Sequence, residues 1–160
     1  MKRIFISVIG ESHASKKNYA VAEKVGELLA KHGATVICGG TSGVMEAVCK
    51  GADTHGGLTV GILPHSKRSK ANKYVDIPIC TGVGYARNKY VVKSGQAVIA
   101  IGGSYGTLTE IAYALGYRIP VIGINTWSMT RKGHEKAPIM YVKTPEQAVA
   151  LAIKIAKRRQ

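Results

Sequence analysis

The chain has 160 residues, 46% apolar and 20% charged, and its 23 Lys and Arg against 9 Asp and Glu give a formal charge of +14. This length suits one domain with a proper core, and no stretch approaches the roughly 18 apolar residues that a membrane helix needs. The excess charge favours anions, but its lysines and arginines are scattered and few aromatics interleave with them, so a nucleic-acid groove is not expected.

The N-terminus, "MKRIFISVIGESH", has a basic start, but its apolar part covers only Ile4 to Ile9 and no small-residue cleavage site follows. It reads as a first buried strand, and the protein as cytoplasmic. "KKNYAVAEKVGELLAKHG" places Val21, Val25, Leu28 and Leu29 at helical spacing, with Gly33 as a C-terminal cap. "ATVICGG" is a second strand, "GVMEAVCKGA" a helix and "LTVGILP" a third strand stopped by Pro64. Residues 65–74 are polar and basic and read as a mobile loop. "YVDIPI" is extended, because Pro78 biases Ile77 away from the helical region. "VGYARNKYVVKSG" predicts a helix ending at Gly95, "QAVIAIGG" a buried strand and "TLTEIAYALG" a helix. "IPVIGIN" follows as a strand, 126–138 as a loop with the only tryptophan, Trp127, and "IMYVK" as a short last strand. "TPEQAVALAIKIAKRR" closes the chain as a helix with Thr144 as N-cap and Pro145 at its first position.

Strands alternating with helices imply an α/β fold: a single Rossmann-like, doubly wound domain over 1–160, with a mostly parallel sheet flanked by helices. The cysteines (Cys38, Cys49, Cys80) are odd in number and lack CxxC spacing, and the five histidines form no ligand pattern, so neither disulfides nor a metal are expected. Cys38 reads as a small core residue.

Two stretches echo each other. "VICGGTSGVMEA" and "AIGGSYGTLTE" each run from an apolar strand through GGxxG into a helix, matching Gly39, Gly40 and Gly43 to Gly102, Gly103 and Gly106. Ligands of open α/β sheets bind at this edge. Glycine lets backbone approach an anion, and free helix-start amides favour phosphate. Tight turns with close helix–strand packing remain the alternative reading. No GxxxxGK[ST] exists, and no GxGxxG follows the first strand. Thr107-Leu108-Thr109-Glu110 also fits a T-x-x-E capping box, and by helical angle Glu110 lies opposite the Leu108/Ile111/Leu115 face, away from the core. Arg87 alone reads as an ordinary surface residue.

"GGSYGTLTE" resembles the PGGxGTxxE motif of the Lonely Guy-type phosphoribohydrolases, often labelled "lysine decarboxylase-like", and "GYARNKYVV" is similar to their arginine-containing segment. "CGGTSGVMEAV" resembles their first glycine turn, and the likeness runs from about residue 3 to about residue 125. The most similar branch includes molybdenum-cofactor carrier proteins. The resemblance implies a Rossmann-like fold, usually dimeric, that binds a nucleoside 5′-monophosphate or similar ligand. It makes Arg87 and Glu110 the catalytic residues for cleaving the N-glycosidic bond, with Gly102, Gly103, Ser104, Tyr105, Gly106 and Thr107 about the phosphate. Ser12, Gly39, Gly40, Thr41, Gly43 and Asn88 complete the candidate ligand-binding set. Gly102 stands in place of the motif's proline, Ser104 in place of its second glycine and Thr109 in place of an acidic residue. Hydrolysis to base and ribose 5-phosphate is one expectation; a non-catalytic carrier or sensor of molybdenum cofactor or a nucleotide is the other. Lysine decarboxylation is not expected, because no pyridoxal constellation is readable. No cofactor is expected, and the partners are a phosphorylated small molecule and further copies of the chain.

Overall fold

The structure, a computed structural model, describes residues 3–159; Met1, Lys2 and Gln160, the ends of the 1–160 domain reading, lie outside the described residues. Seven strands and five α-helices follow in the order β1 (Phe5–Gly10), α1 (Lys16–Lys31), β2 (Thr35–Cys38), α2 (Val44–Asp53), β3 (Thr59–Leu63), β4 (Ile77–Cys80), α3 (Asn88–Lys93), β5 (Ala97–Ile101), α4 (Tyr105–Gly116), β6 (Val121–Ile124), β7 (Ile139–Tyr141) and α5 (Pro145–Arg158) among the described residues, alternating except where β3 leads to β4 and β6 to β7. The strands form one sheet in the order β4-β3-β2-β1-β5-β6-β7, and every pairing is parallel. Buried on both faces, β2, β3, β5 and β6 are predominantly apolar, with a buried threonine opening β2 and β3, as suits a parallel sheet covered on both sides.

The chain winds from β1 outward to β4, then returns to lay β5 against the other side of β1. Winding therefore reverses between β1 and β5, and this switch point opens a crevice at the carboxyl edge of the sheet. Helices α1, α2 and α5 cover one face through a core that includes Val25, Leu29, Val48 and Ile153. Helices α3 and α4 cover the other through Val91, Val92, Ile111 and Ala114. Ser15 caps α1 by accepting from the Asn18 amide at 3.1 Å, and Thr144 caps α5 from Gln147 at 3.3 Å. Two glycines let α1 and α2 touch backbone to backbone. A Cβ at Gly26 would stand 2.0 Å from the Val48 carbonyl oxygen, and one at Gly51 would stand 1.9 Å from that of Glu23.

Three expectations need correction. Residues 65–74 contain a 3-10 turn (Arg68–Lys70) and are tied to the first glycine turn, not loose. The Asn72 amide N–H donates to the Gly40 carbonyl (2.9 Å), its side chain donates to the Thr41 carbonyl (2.9 Å), and it accepts from Tyr74. The helix predicted over "VGYARNKYVVKSG" is a 3-10 turn (Gly84–Arg87) followed by six residues of α3, since Gly84 adopts φ +59° and breaks α-helical geometry. Helix α4 begins at Tyr105, two residues before the predicted start, with Ser104 as N-cap. Among the described residues, no helix is long and apolar enough to cross a membrane.

Candidate functional site

The switch-point crevice collects most of the candidate residues. After β5, Gly102 (φ +60°) and Gly103 (φ +144°) turn the chain within two residues, in conformations that side chains rarely adopt. This delivers Ser104 to the N-cap position of α4, where its side chain makes no capping bond. Among the described residues, the amides of Ser104, Tyr105, Gly106 and Thr107 have no acceptor. Four unsatisfied N–H groups at the positive end of a helix attract an anion. Thr107 adds a hydroxyl that is 1% exposed and has no hydrogen-bond partner. The cradle is narrower than the sequence predicts. The Gly102 amide donates to the Ile124 carbonyl at 3.1 Å and the Gly103 amide to Glu11 Oε2 at 2.9 Å, so the free amides begin at Ser104.

The first turn is folded against the segment after β1. Val44 donates its amide to the Glu11 carbonyl at 3.0 Å, and Ser42 Oγ donates to the Ser12 carbonyl at 3.0 Å. Gly40 and Gly43 have positive φ, and a Cβ at Gly43 would stand 2.2 Å from the Glu11 carbonyl oxygen. The amides of Thr41, Ser42 and Gly43 have no acceptor among the described residues.

Arg87 and Glu110 meet between the two turns. Arg87 is 7% and Glu110 6% exposed, with Nη1 of Arg87 3.9 Å from Oε1 of Glu110. The guanidinium packs against Gly39: Nη2 donates to the Gly39 carbonyl at 3.3 Å, and a Cβ there would stand 2.5 Å from Nη2. Its Nε is buried without a partner. Burial raises the Glu110 carboxyl from its ordinary 4.5 to about 8, although Arg87 pulls it back. Burial likewise lowers Arg87, against the upward pull of Glu110, but a guanidinium stays charged at any physiological pH. At neutral pH the pair is mostly a neutral acid beside a cation.

This overturns the capping-box reading. Glu110 belongs to the second turn of α4, beyond reach of the N-cap at Ser104, and lies on the inward face with Thr107, Ile111 and Ala114. The shifted helix start and a wider buried face place it in the interior. Asn88, grouped with the ligand-binding residues in the sequence, is 2% exposed and acts on its neighbour. Its Oδ1 accepts from Arg87 Nη1, and its Nδ2 lies 3.4 Å from Thr109 Oγ1, which donates to the Gly106 carbonyl at 2.7 Å. Asn88 thus ties the arginine to the first turn of α4.

A cleft of about 340 Å³ opens beside Arg87, with Ser12 and Thr41 on one side and Pro64, His65 and Tyr85 on the other. A Cβ at Gly106 would stand 4.0 Å from the Tyr85 ring, so Tyr85 extends from this cleft toward the α4 cradle. Tyr105 is 79% exposed and its ring lies 5.8 Å from that of Trp127. A second hollow of about 320 Å³ lies across the turn, lined by Glu11, Asn18, Gly103, Asn125 and Trp127. There Glu11 accepts from both Asn18 Nδ2 (2.9 Å) and the Gly103 amide, and Trp127 Nε1 donates to the Ser104 carbonyl at 3.1 Å. The candidate set read from the sequence lacks Glu11, Asn18 and His65, and it leaves Trp127 as a loop residue without a role. The signal available for Glu11 was its place immediately after the strand that borders the switch point.

The profile described as the SLOG cluster4 family matches residues 3–149. The chain belongs to that family. It is 49% identical over 115 residues, 72% of this chain and 76% of the relative, to an uncharacterized protein of Archaeoglobus fulgidus. A probable cytokinin riboside 5′-monophosphate phosphoribohydrolase of Oryza sativa subsp. japonica is 27% identical over 137 residues, 83% of this chain; the match spans only 52% of the rice protein. Among solved structures, the molybdenum cofactor binding protein of Rippkaea orientalis superposes with a TM-score of 0.86 at 32% identity, covering 97% of this chain and 98% of that one. The expected kinship with phosphoribohydrolases and molybdenum-cofactor carriers, and the α/β fold with its parallel sheet, therefore hold.

Proposed function

We propose that the protein, one domain over 1–160, binds a nucleoside 5′-monophosphate and hydrolyses its N-glycosidic bond, releasing the base and ribose 5-phosphate. The observation that carries this reading is the buried Arg87–Glu110 pair beside four unsatisfied α4 amides and the unpartnered Thr107 hydroxyl. The phosphate sits on the amides of Ser104 to Thr107, with the Thr41–Gly43 turn facing the sugar. Ionised Glu110 stabilises the positive charge that develops on the ribose and orients water, and Arg87 engages the departing base or the phosphate. The rice relative's described activity supports the same chemistry.

A second reading, a carrier that binds without turnover, draws support from the near full-length similarity to the Rippkaea molybdenum cofactor binding protein and from the departures Gly102, Ser104 and Thr109. The two separate in one assay. The protein is incubated with a panel of nucleoside monophosphates and free base is sought by mass spectrometry, with Glu110→Gln and Arg87→Ala alongside. Release abolished by either substitution supports hydrolysis, release that survives both removes the catalytic assignment, and tight retention without release favours the carrier. We further propose a cytoplasmic homodimer formed through the α3/α4 face, where Tyr90, Tyr113 and Tyr117 stand exposed. Sedimentation of a monomer at micromolar concentration would remove that part.

A further inference from the structure

Beneath the first glycine turn, Cys38 Sγ and Cys49 Sγ lie 3.4 Å apart, both with no exposed surface. Cys38 is the last residue of β2, and Cys49 faces it from α2. The third cysteine, Cys80, is exposed on edge strand β4 and has no part in the cluster. A disulfide needs about 2.05 Å between sulfurs, so a further approach of roughly 1.3 Å completes the bond. Cys38 is also wired to the site: its sulfur accepts the Gly40 amide at 3.3 Å, and the next carbonyl, that of Gly39, holds Arg87.

We propose that Cys38 and Cys49 form a reversible thiol–disulfide pair, oxidised by a hydroperoxide, whose closure shifts the glycine turn above it. The Cys38 thiolate attacks the peroxide, breaking its O–O bond and yielding a sulfenic acid and one water (or alcohol). The Cys49 sulfur then displaces hydroxide, which leaves as a second water, so two thiols and one peroxide give one disulfide. A dithiol reductant reverses the step by thiol–disulfide exchange. The roles follow the surroundings. The hydrogen bond from Cys49, helped by the Gly40 amide and Arg87, lowers the Cys38 thiol against its burial; the same contact and burial raise Cys49. Cys38 is the thiol suited to react first.

Equimolar hydrogen peroxide on the Cys80→Ser protein tests this. Trypsin places both thiols in one peptide, residues 32–50, which loses 2 mass units and resists alkylation until dithiothreitol restores it. In Cys49→Ala the same peptide instead stays open, carrying added oxygen or free thiol. Backbone amide exchange over residues 39–43 changes at least threefold between the reduced and oxidised forms. Thiols that remain fully alkylatable, or that gain oxygen without losing 2 mass units in the two-cysteine protein, overturn the pair; unchanged exchange over 39–43 overturns its link to the turn. The weaker retention of adenosine 5′-monophosphate expected on oxidation rests on the nucleotide reading above. Absence of nucleotide binding in both forms would sink that reading alone, because the mass and exchange results need no ligand.

Discussion

Replacing Glu110 by Gln should change how stability depends on pH, and the sign is fixed by the interior position of the carboxyl. Burial raises this group from 4.5 to about 8. The folded state therefore holds a proton that the unfolded chain gives up above its ordinary value. The stabilisation is fully present below 4.5 and lost as pH rises through about 8. At about 1.36 kcal/mol per unit, the full span amounts to roughly 5 kcal/mol, with roughly 3 kcal/mol already lost at neutral pH. A small domain's total stability is about 5–15 kcal/mol, so this is a large share. Glutamine has nearly the shape of the protonated acid and does not titrate. Urea unfolding of both proteins at intervals between about pH 5 and pH 9 isolates the group, since the remaining titrations cancel in the difference. The curves should nearly coincide at the acid end, and the variant should gain several kcal/mol at the alkaline end with unchanged denaturant slope. A difference independent of pH would show that Glu110 is ionised throughout, and the reasoning from burial would fail.

Base release should rise with pH along a limb near 8, where Glu110 ionises, and Glu110→Gln should show no release at any pH across that limb; a pH–rate profile on the preferred monophosphate reads both. Thr107→Val removes a buried hydroxyl without a partner, so urea unfolding should show stability unchanged or raised, while calorimetry should show nucleotide affinity falling about tenfold. Gly39→Ala sets a methyl where Nη2 of Arg87 lies, and should weaken nucleotide binding and turnover together. Gly51→Ala forces α1 and α2 apart and should lower the urea midpoint by an amount worth about 1–3 kcal/mol, with nucleotide affinity in the surviving folded protein largely kept.

The exposed edge strand β4 was legible in the sequence only as an extended segment, through Pro78, and the three-residue β7 only as a short strand. Strands β1, β2, β3, β5 and β6 were legible because a parallel sheet buried on both faces leaves apolar runs punctuated by glycine or proline. Both glycine turns were legible for the same reason. Glu110 was not. Its helix face depended on where α4 begins, and the T-x-x-E pattern pointed to Thr107, whereas the chain starts the helix at Tyr105 once Gly102 and Gly103 have turned it. The Arg87–Glu110 contact joins residues on separate helical segments, and no local periodicity encodes such a meeting. Nor could spacing show that Glu11 occupies the Gly103 amide, because the two are 92 positions apart and meet only when β5 lies beside β1.

The bare-backbone seat between Gly26 and Gly51 has a mechanical consequence. With no side chain to act as a cushion, α2 is held hard against α1, so a change at its front end is a bend of the turn itself and not a slide of the helix. Tyr85 and Trp127 lie off this seat, one on the 3-10 turn before α3 and the other in the loop after β6.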